Sequence, residues 1–207
     1  MITTIEQRRI KISARIKKDT KMKLGQFLTP IRIAQFMADL FKSQSMHTCR
    51  LLDPGAGIGS LTCAFLERCT TGELNFKNIE ATMFEIDQQL YKELDRSFSC
   101  VNKSSNIDYK ICTEDFIKEA VKLIKSKKNN IFTHAVLNPP YRKIRSDSHH
   151  RALLRQVGIE TVNLYSAFVA LSVFLLKERG ELVAIIPRSF CNGPYYRPFR
   201  EFILEHT

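Results

Sequence analysis

No stretch of the 207-residue chain approaches the roughly 20 consecutive apolar residues of a membrane-spanning helix, so a helical membrane span is excluded. The first residues, Met1 to Lys23, also lack the apolar core of a secretory signal. Cys49, Cys63, Cys69, Cys100, Cys112 and Cys191 show no C-x-x-C spacing, which leaves no thiol metal or redox motif. Without an export signal they read as reduced thiols used as small core residues in a cytoplasmic protein. Repeats and low-complexity blocks are missing too, and the lack of tryptophan decides nothing. The shortage with most consequence is of acid: 32 Lys+Arg against 21 Asp+Glu leave a net charge of +11, which favours a polyanionic partner. Apolar residues at 44% and charged residues at 26% describe a globular chain, long enough for one substantial core but not for two large domains.

Periodicity divides that length into a basic N-terminal arm over 1–24 and one domain over 25–207. The arm carries Arg8, Arg9, Lys11, Arg15, Lys17, Lys18, Lys21 and Lys23, with Ile5, Ile12 and Ile16 near helical spacing. A solvated face and a nucleic-acid contact both suit it. After Gly25 to Pro30 the pattern predicts a helix with Ile33, Met37, Leu40 and Phe41 on one face, Thr29 as its cap and Pro30 at its first position. Strands are expected at Arg50 to Leu52, Glu80 to Glu85, Tyr109 to Cys112, Thr133 to Leu137 and Glu181 to Ile186. Helices are expected near 59–69, 87–98, 116–126 and 162–178, and a last one over Tyr195 to Glu205. Such alternation predicts an α/β fold with a mostly parallel sheet and helices on both faces, whose ligands sit beyond the carboxyl ends of the strands.

Three of those ends carry acids. Asp53-Pro54-Gly55-Ala56-Gly57-Ile58-Gly59 is a strand end, a glycine turn and a helix start, where backbone can approach a ligand closely. A G-x-G-x-G is weak alone and is not the dinucleotide fingerprint G-x-G-x-x-G. It gains weight from Glu85 and Ile86 at the next strand end, where a carboxylate can accept both hydroxyls of a ribose. The third strand runs into Glu114-Asp115-Phe116; these acids suit a first helical turn, and Asp115 also suits an adenine amino group with Phe116 against the ring. An adenine, a ribose and a charged tail fit S-adenosylmethionine better than a dinucleotide.

The fourth strand leads into Asn138-Pro139-Pro140-Tyr141. Two prolines remove two donors and stiffen the chain, so nearby carbonyls face outward; the alternative is a plain loop punctuator. A planar amine between the Asn138 oxygen and the Pro139 carbonyl would find an acceptor for each N–H, with Tyr141 as an aromatic wall.

With these motifs in order, the chain resembles the gamma-type amino DNA methyltransferases of restriction-modification systems, which act on adenine N6. The resemblance rests on Gly25-Gln26-Phe27-Leu28-Thr29-Pro30, Asp53 through Gly59, Glu85, Asp115-Phe116, Asn138 to Tyr141, Asn163 to Phe168 and Gly180 to Pro187, and covers residues 25 to 207. It implies a Rossmann-like fold and S-adenosylmethionine as cofactor. It implies that Thr29, Pro30 and the Asp53 to Gly59 loop hold the methionine end, Glu85 and Ile86 the ribose, and Asp115 and Phe116 the adenine. Asn138, Pro139, Pro140 and Tyr141 would then receive an adenine flipped out of double-stranded DNA. Arg142, Lys143, Arg145, Arg151 and Arg155, in a stretch without a clear strand, are candidates for phosphate contacts. His149-His150 has no Cys or His at ligand spacing, so no metal is expected. The family continues past the point where this chain stops, so the resemblance implies a C-terminally incomplete core that lacks the final strands. A recognition region or a second subunit would be its partner. A cofactor-binding assembly subunit without activity, or an enzyme acting on RNA or protein glutamine, stays open beside the DNA reading.

Overall fold

The computed structural model describes residues 2–15, 27–42, 47–99 and 106–207. Gly25, Gln26, Cys100 and the arm positions from Ile16 to Lys23 lie outside them. The elements run α1 (Ile2–Arg15), α2 (Ile31–Asp39), β1 (Thr48–Asp53), α3 (Ser60–Thr70), β2 (Asn78–Phe84), α4 (Gln88–Phe98), β3 (Ile107–Cys112), α5 (Phe116–Lys125), β4 (Phe132–Leu137), α6 (His149–Arg155), α7 (Leu164–Leu175), β5 (Leu176–Ala184) and α8 (Arg197–His206). The five strands form one parallel sheet in the order β3-β2-β1-β4-β5.

Period-two alternation splits the core between the two faces of the sheet. Leu51, Ala81, Met83 and Val136 join residues of α1 to α4 in one cluster, while Leu52, Phe84, Ala135 and Leu137 join residues of α5 to α8 in the other. All six residues of β4 are buried, as a central parallel strand requires. Side chains mark the helix starts: the Asp87 carboxylate accepts from the Gln89 amide at 2.8 Å, and Asp115 accepts from Lys118 at 3.0 Å.

Several expectations need correction. Helix α2 buries Ala34, Met37 and Ala38, with Phe41 just beyond, while Ile33 and Leu40 are 43% and 53% exposed. The two alanines, one turn apart, let the helix backbone lie close to α3, and this outweighs the larger side chains. Its N-cap is Pro30, and Thr29 does not cap it. The stretch after Tyr141 contains a helix, α6, and its two ends are joined by an antiparallel bridge between Lys143 and Asn163. Strand β5 begins at Leu176, directly at the end of α7, and ends at Ala184. Basic helix α1 is docked on the domain: Ile2 and Ile5 are buried, the Arg8 guanidinium donates to Ser97 Oγ at 3.2 Å, and Glu6 accepts the Ile31 amide at 3.1 Å. Cys49, Cys63 and Cys112 are buried and Cys69 is partly so, but Cys191 is exposed and is no core residue. Among the described residues, no helix is long and apolar enough to cross a membrane.

Candidate active site

Because β1 to β4 are parallel, their carboxyl ends share one edge of the sheet, and the acids and Asn138 are brought there together. Beneath the glycine turn, Asp53 is fully buried. Its Oδ2 accepts from the Thr62 hydroxyl at 2.7 Å, and Oδ1 meets no hydrogen bond among the described residues. Burial pushes this carboxyl up to about 7, against the Thr62 hydroxyl and the nearby Gly55 and Thr62 amides. The turn is anchored by the Ala56 amide on the Phe84 carbonyl at 2.9 Å, and it ends at Gly59, whose φ of 87° is left-handed.

Glu85 follows β2 and is 6% exposed. One carboxylate oxygen accepts the Gly57 amide at 2.9 Å and the other the Asp87 amide at 2.7 Å. Burial raises it to about 7 in spite of both amides. Asp115, after β3, accepts the Lys118 amide with Oδ1 and faces His150 Nε2 with Oδ2 at 2.9 Å. Burial drives its pKa upward, but His150 and the helix amides outweigh that and hold it below the usual value; the same pairing raises His150.

These strand ends enclose a cavity of about 270 Å³, lined by Pro54, Gly55, Gly57, Glu85, Ile86, Asp115, Asn138 and Pro140 among the expected residues. Phe27, Leu28, Leu90, Ile117, Leu164 and Phe168 supply apolar walls, and Arg142 and His150 reach it from the segment after Tyr141. A recess of about 20 Å³ beside it is lined by Thr29 and Ala56 and shares Phe27, Leu28, Gly55, Gly57 and Asn138. Asp53, Gly59, Pro30, Phe116, Pro139 and Tyr141 line neither space. Phe116 instead packs on Phe84 and Phe168 at centroid distances of 5.2 and 5.0 Å, because the Asp115 cap points the first helical residue into the core; Ile117 takes the cavity wall. His150 had no sequence signal, since its place depends on α6 folding back over α5. Of the candidate phosphate ligands, Arg145 pairs with Asp147 at 2.9 Å, and Arg151 and Arg155 both pair with Glu160. A larger cleft of about 940 Å³ lies by β5, α7 and α8; of the motif segments it is lined only by Gly180, Leu182, Ala184 and Ile186, and it holds none of the candidate cofactor or base-site residues.

At the end of β4, the Asn138 amide nitrogen donates to the Phe27 carbonyl at 3.0 Å and lies 3.1 Å from Thr29 Oγ1, and the Tyr141 hydroxyl donates to Asn138 Oδ1 at 2.7 Å. Thr29 is 6% exposed, and its hydroxyl thus faces Asn138. The acids and apolar walls suit a nucleoside with a cationic tail: Glu85 keeps lone pairs for hydroxyls, and the rim residues Phe27 and Ile86, 61% and 62% exposed, offer apolar faces to a ring.

Comparison with known proteins agrees with this architecture. The chain is 45% identical over 213 aligned positions to the Type II methyltransferase M.BsuBI of Bacillus subtilis, covering all of this chain and 42% of that one. It is 44% identical to M.PstI of Providencia stuartii, covering 89% of this chain and 37% of the relative, so it spans about two fifths of these relatives' length. In structure it superimposes on a Listeria monocytogenes protein assigned to the class I S-adenosylmethionine-dependent methyltransferases, with a TM-score of 0.73 at 14% identity over 99% of this chain and 58% of the other. A type I restriction-modification methyltransferase subunit from Streptococcus thermophilus gives 0.63 at 18% identity, covering 86% and 38%. The model of the Eco57I restriction-modification methylase family matches residues 5–207, and the chain belongs to that family.

Proposed function

We propose that this chain is the cofactor-binding and catalytic core of a restriction-modification DNA methyltransferase that methylates the N6 amine of an adenine flipped out of double-stranded DNA. The observation that carries this reading is the Asn138 amide beside the cavity, whose nitrogen is taken up by Phe27 and Thr29 so that its oxygen, which accepts from the Tyr141 hydroxyl, serves as the acceptor. S-adenosylmethionine, when bound, supplies a methyl group on a sulfonium. Glu85 accepts the ribose hydroxyls on lone pairs that Gly57 and Asp87 leave open, and Asp115 accepts the adenine amino group. Gly55, Gly57 and Ala56, with Asp53 behind them, receive the methionine end, and Ile86 covers the ribose. Asn138 Oδ1 and the Pro139 carbonyl accept the two N–H bonds of the target amine. This disfavours delocalisation of its lone pair into the ring and leaves it nucleophilic. No covalent bond to the protein is needed, so the cysteines have no chemical task.

Calorimetric titration with S-adenosylmethionine, followed by tritiated methyl transfer to mixed-sequence duplex DNA, tests this reading. Asn138→Ala is expected to abolish transfer and to leave cofactor affinity within about twofold. Equal loss of both would mean that the amine site is misplaced. Binding without transfer, even by a longer protein containing this chain, would favour an assembly subunit, and transfer to RNA or protein glutamine alone would replace the substrate.

A further inference from the structure

The orientation of the Asn138 amide is dictated by its neighbours. The Phe27 carbonyl carries no hydrogen, so the Asn138 atom 3.0 Å from it must be the nitrogen; turning the amide over would set oxygen against oxygen. Thr29 Oγ1 lies 3.1 Å from the same nitrogen. Oδ1 is therefore fixed on the opposite side, where the Tyr141 hydroxyl meets it at 2.7 Å. That hydroxyl is also 3.0 Å from the Ile185 carbonyl, which lies just past β5 and is held in place because its own amide bonds to Leu137. A phenol has one hydrogen, and here two acceptors compete for it. Burial raises the Tyr141 phenol above its ordinary value, so the hydrogen is retained.

We propose that the Tyr141 hydroxyl is a placeholder for the target amine: it donates to Asn138 Oδ1 while the base site is empty and turns its hydrogen to the Ile185 carbonyl when an amine takes that acceptor. The inference rests on the proposed function, because the arriving donor is the target amine. The exchange keeps the Asn138 oxygen paired in both states, so the empty site does not carry a bare acceptor. An amine consequently gains its own hydrogen bond less the amount by which the 2.7 Å bond of Tyr141 to Asn138 exceeds the 3.0 Å bond to Ile185 that replaces it. A base without an amine leaves the Tyr141 to Asn138 bond in place. The hydroxyl thus positions the acceptor and narrows the preference for an amine-bearing base, a role separate from the stacking its ring can offer.

The test uses the chain saturated with S-adenosylhomocysteine and short oligothymidylates carrying one central adenine, or one purine that lacks the exocyclic amine. A single strand needs no base flipping. Fluorescence anisotropy gives the adenine-to-purine affinity ratio. Tyr141→Phe should widen that ratio roughly 2- to 10-fold, with one net hydrogen bond as the upper limit. Difluorotyrosine at position 141, a stronger donor measured below its ionisation pH, should narrow it. A ring that only stacks would change both affinities alike, so an unchanged ratio in the phenylalanine protein overturns the placeholder and leaves the amine site standing. If that variant does not fold, the difluorotyrosine protein decides alone, and a ratio that fails to narrow overturns the proposal. No preference for either purine over plain oligothymidylate, in any form of the protein, overturns the proposed function as well.

Discussion

Asp53 and Glu85 sit where burial opposes their charge, and this has a signed consequence for stability. With the Asp53 carboxyl at about 7 in the folded chain against an ordinary 3.8, the fold retains a proton that the unfolded chain releases. The stability this contributes is complete below about pH 4 and is lost as the pH rises through about 7. Asp53→Asn keeps an oxygen for the Thr62 hydroxyl and removes the buried charge. It should raise urea stability by ~2–4 kcal/mol near pH 8 and by almost nothing near pH 4. Equal effects at both pH values would mean that folding leaves the Asp53 carboxyl unshifted. His134 works in the opposite direction. Enclosed by Phe41, Phe65 and Phe76 and lowered by burial to about 4, it contributes stability that is present above about pH 6.5 and is lost as the pH falls to about 4. Nothing in the sequence separated this histidine from an ordinary strand residue, whereas the acids stood out because each closes a predicted strand.

At the scale of elements, the turn between β1 and α3 is the tightest constraint. A Cβ on Gly59 would lie 2.5 Å from a Phe98 ring carbon and 2.8 Å from Leu94 Cδ1, at a φ that L-residues avoid. Gly59→Ala should therefore cost about 2–4 kcal/mol in urea denaturation, combining backbone strain with overpacking against α4. Gly72→Ala has a similar φ of 83° but nothing within 4 Å, and should cost only about 1 kcal/mol. Similar losses for both would show that the contact with α4 is soft. Strand and helix order was legible because apolar runs alternate with 3.6-period patterns in a fold of simple β-α repeats. Less legible was whatever depends on packing between distant segments. The stripe that α2 buries is set by α3, and α6 lies in a stretch of mixed charge whose anchors, Leu154 and Ile159, meet α5 only in three dimensions. The junction at Leu175 and Leu176 has no turn residues, so a helical pattern continued into what is β5.

For the molecule as a whole, the net charge of +11 is what the proposed function calls on to meet duplex DNA. Binding should weaken at least about tenfold between ~50 and ~200 mM salt, as measured by anisotropy with labelled duplex. A flat response would detach the charge from DNA binding. The cations of Arg151 and Arg155 are held by Glu160, so Glu160→Gln should strengthen that binding slightly where a purely structural pair would leave it unchanged. The order β3-β2-β1-β4-β5 bears on how the protein is made as well as on what it binds. Asp53, Glu85, Asp115 and Asn138 each belong to a different β-α unit, and β4, which pairs with β1 on the side away from β2, follows β2 and β3 in the chain. A ribosome releasing this chain therefore cannot complete the pocket until the segment through Phe168 has emerged. A ligand held there would tie together β1 to β4 rather than any one stretch of the chain.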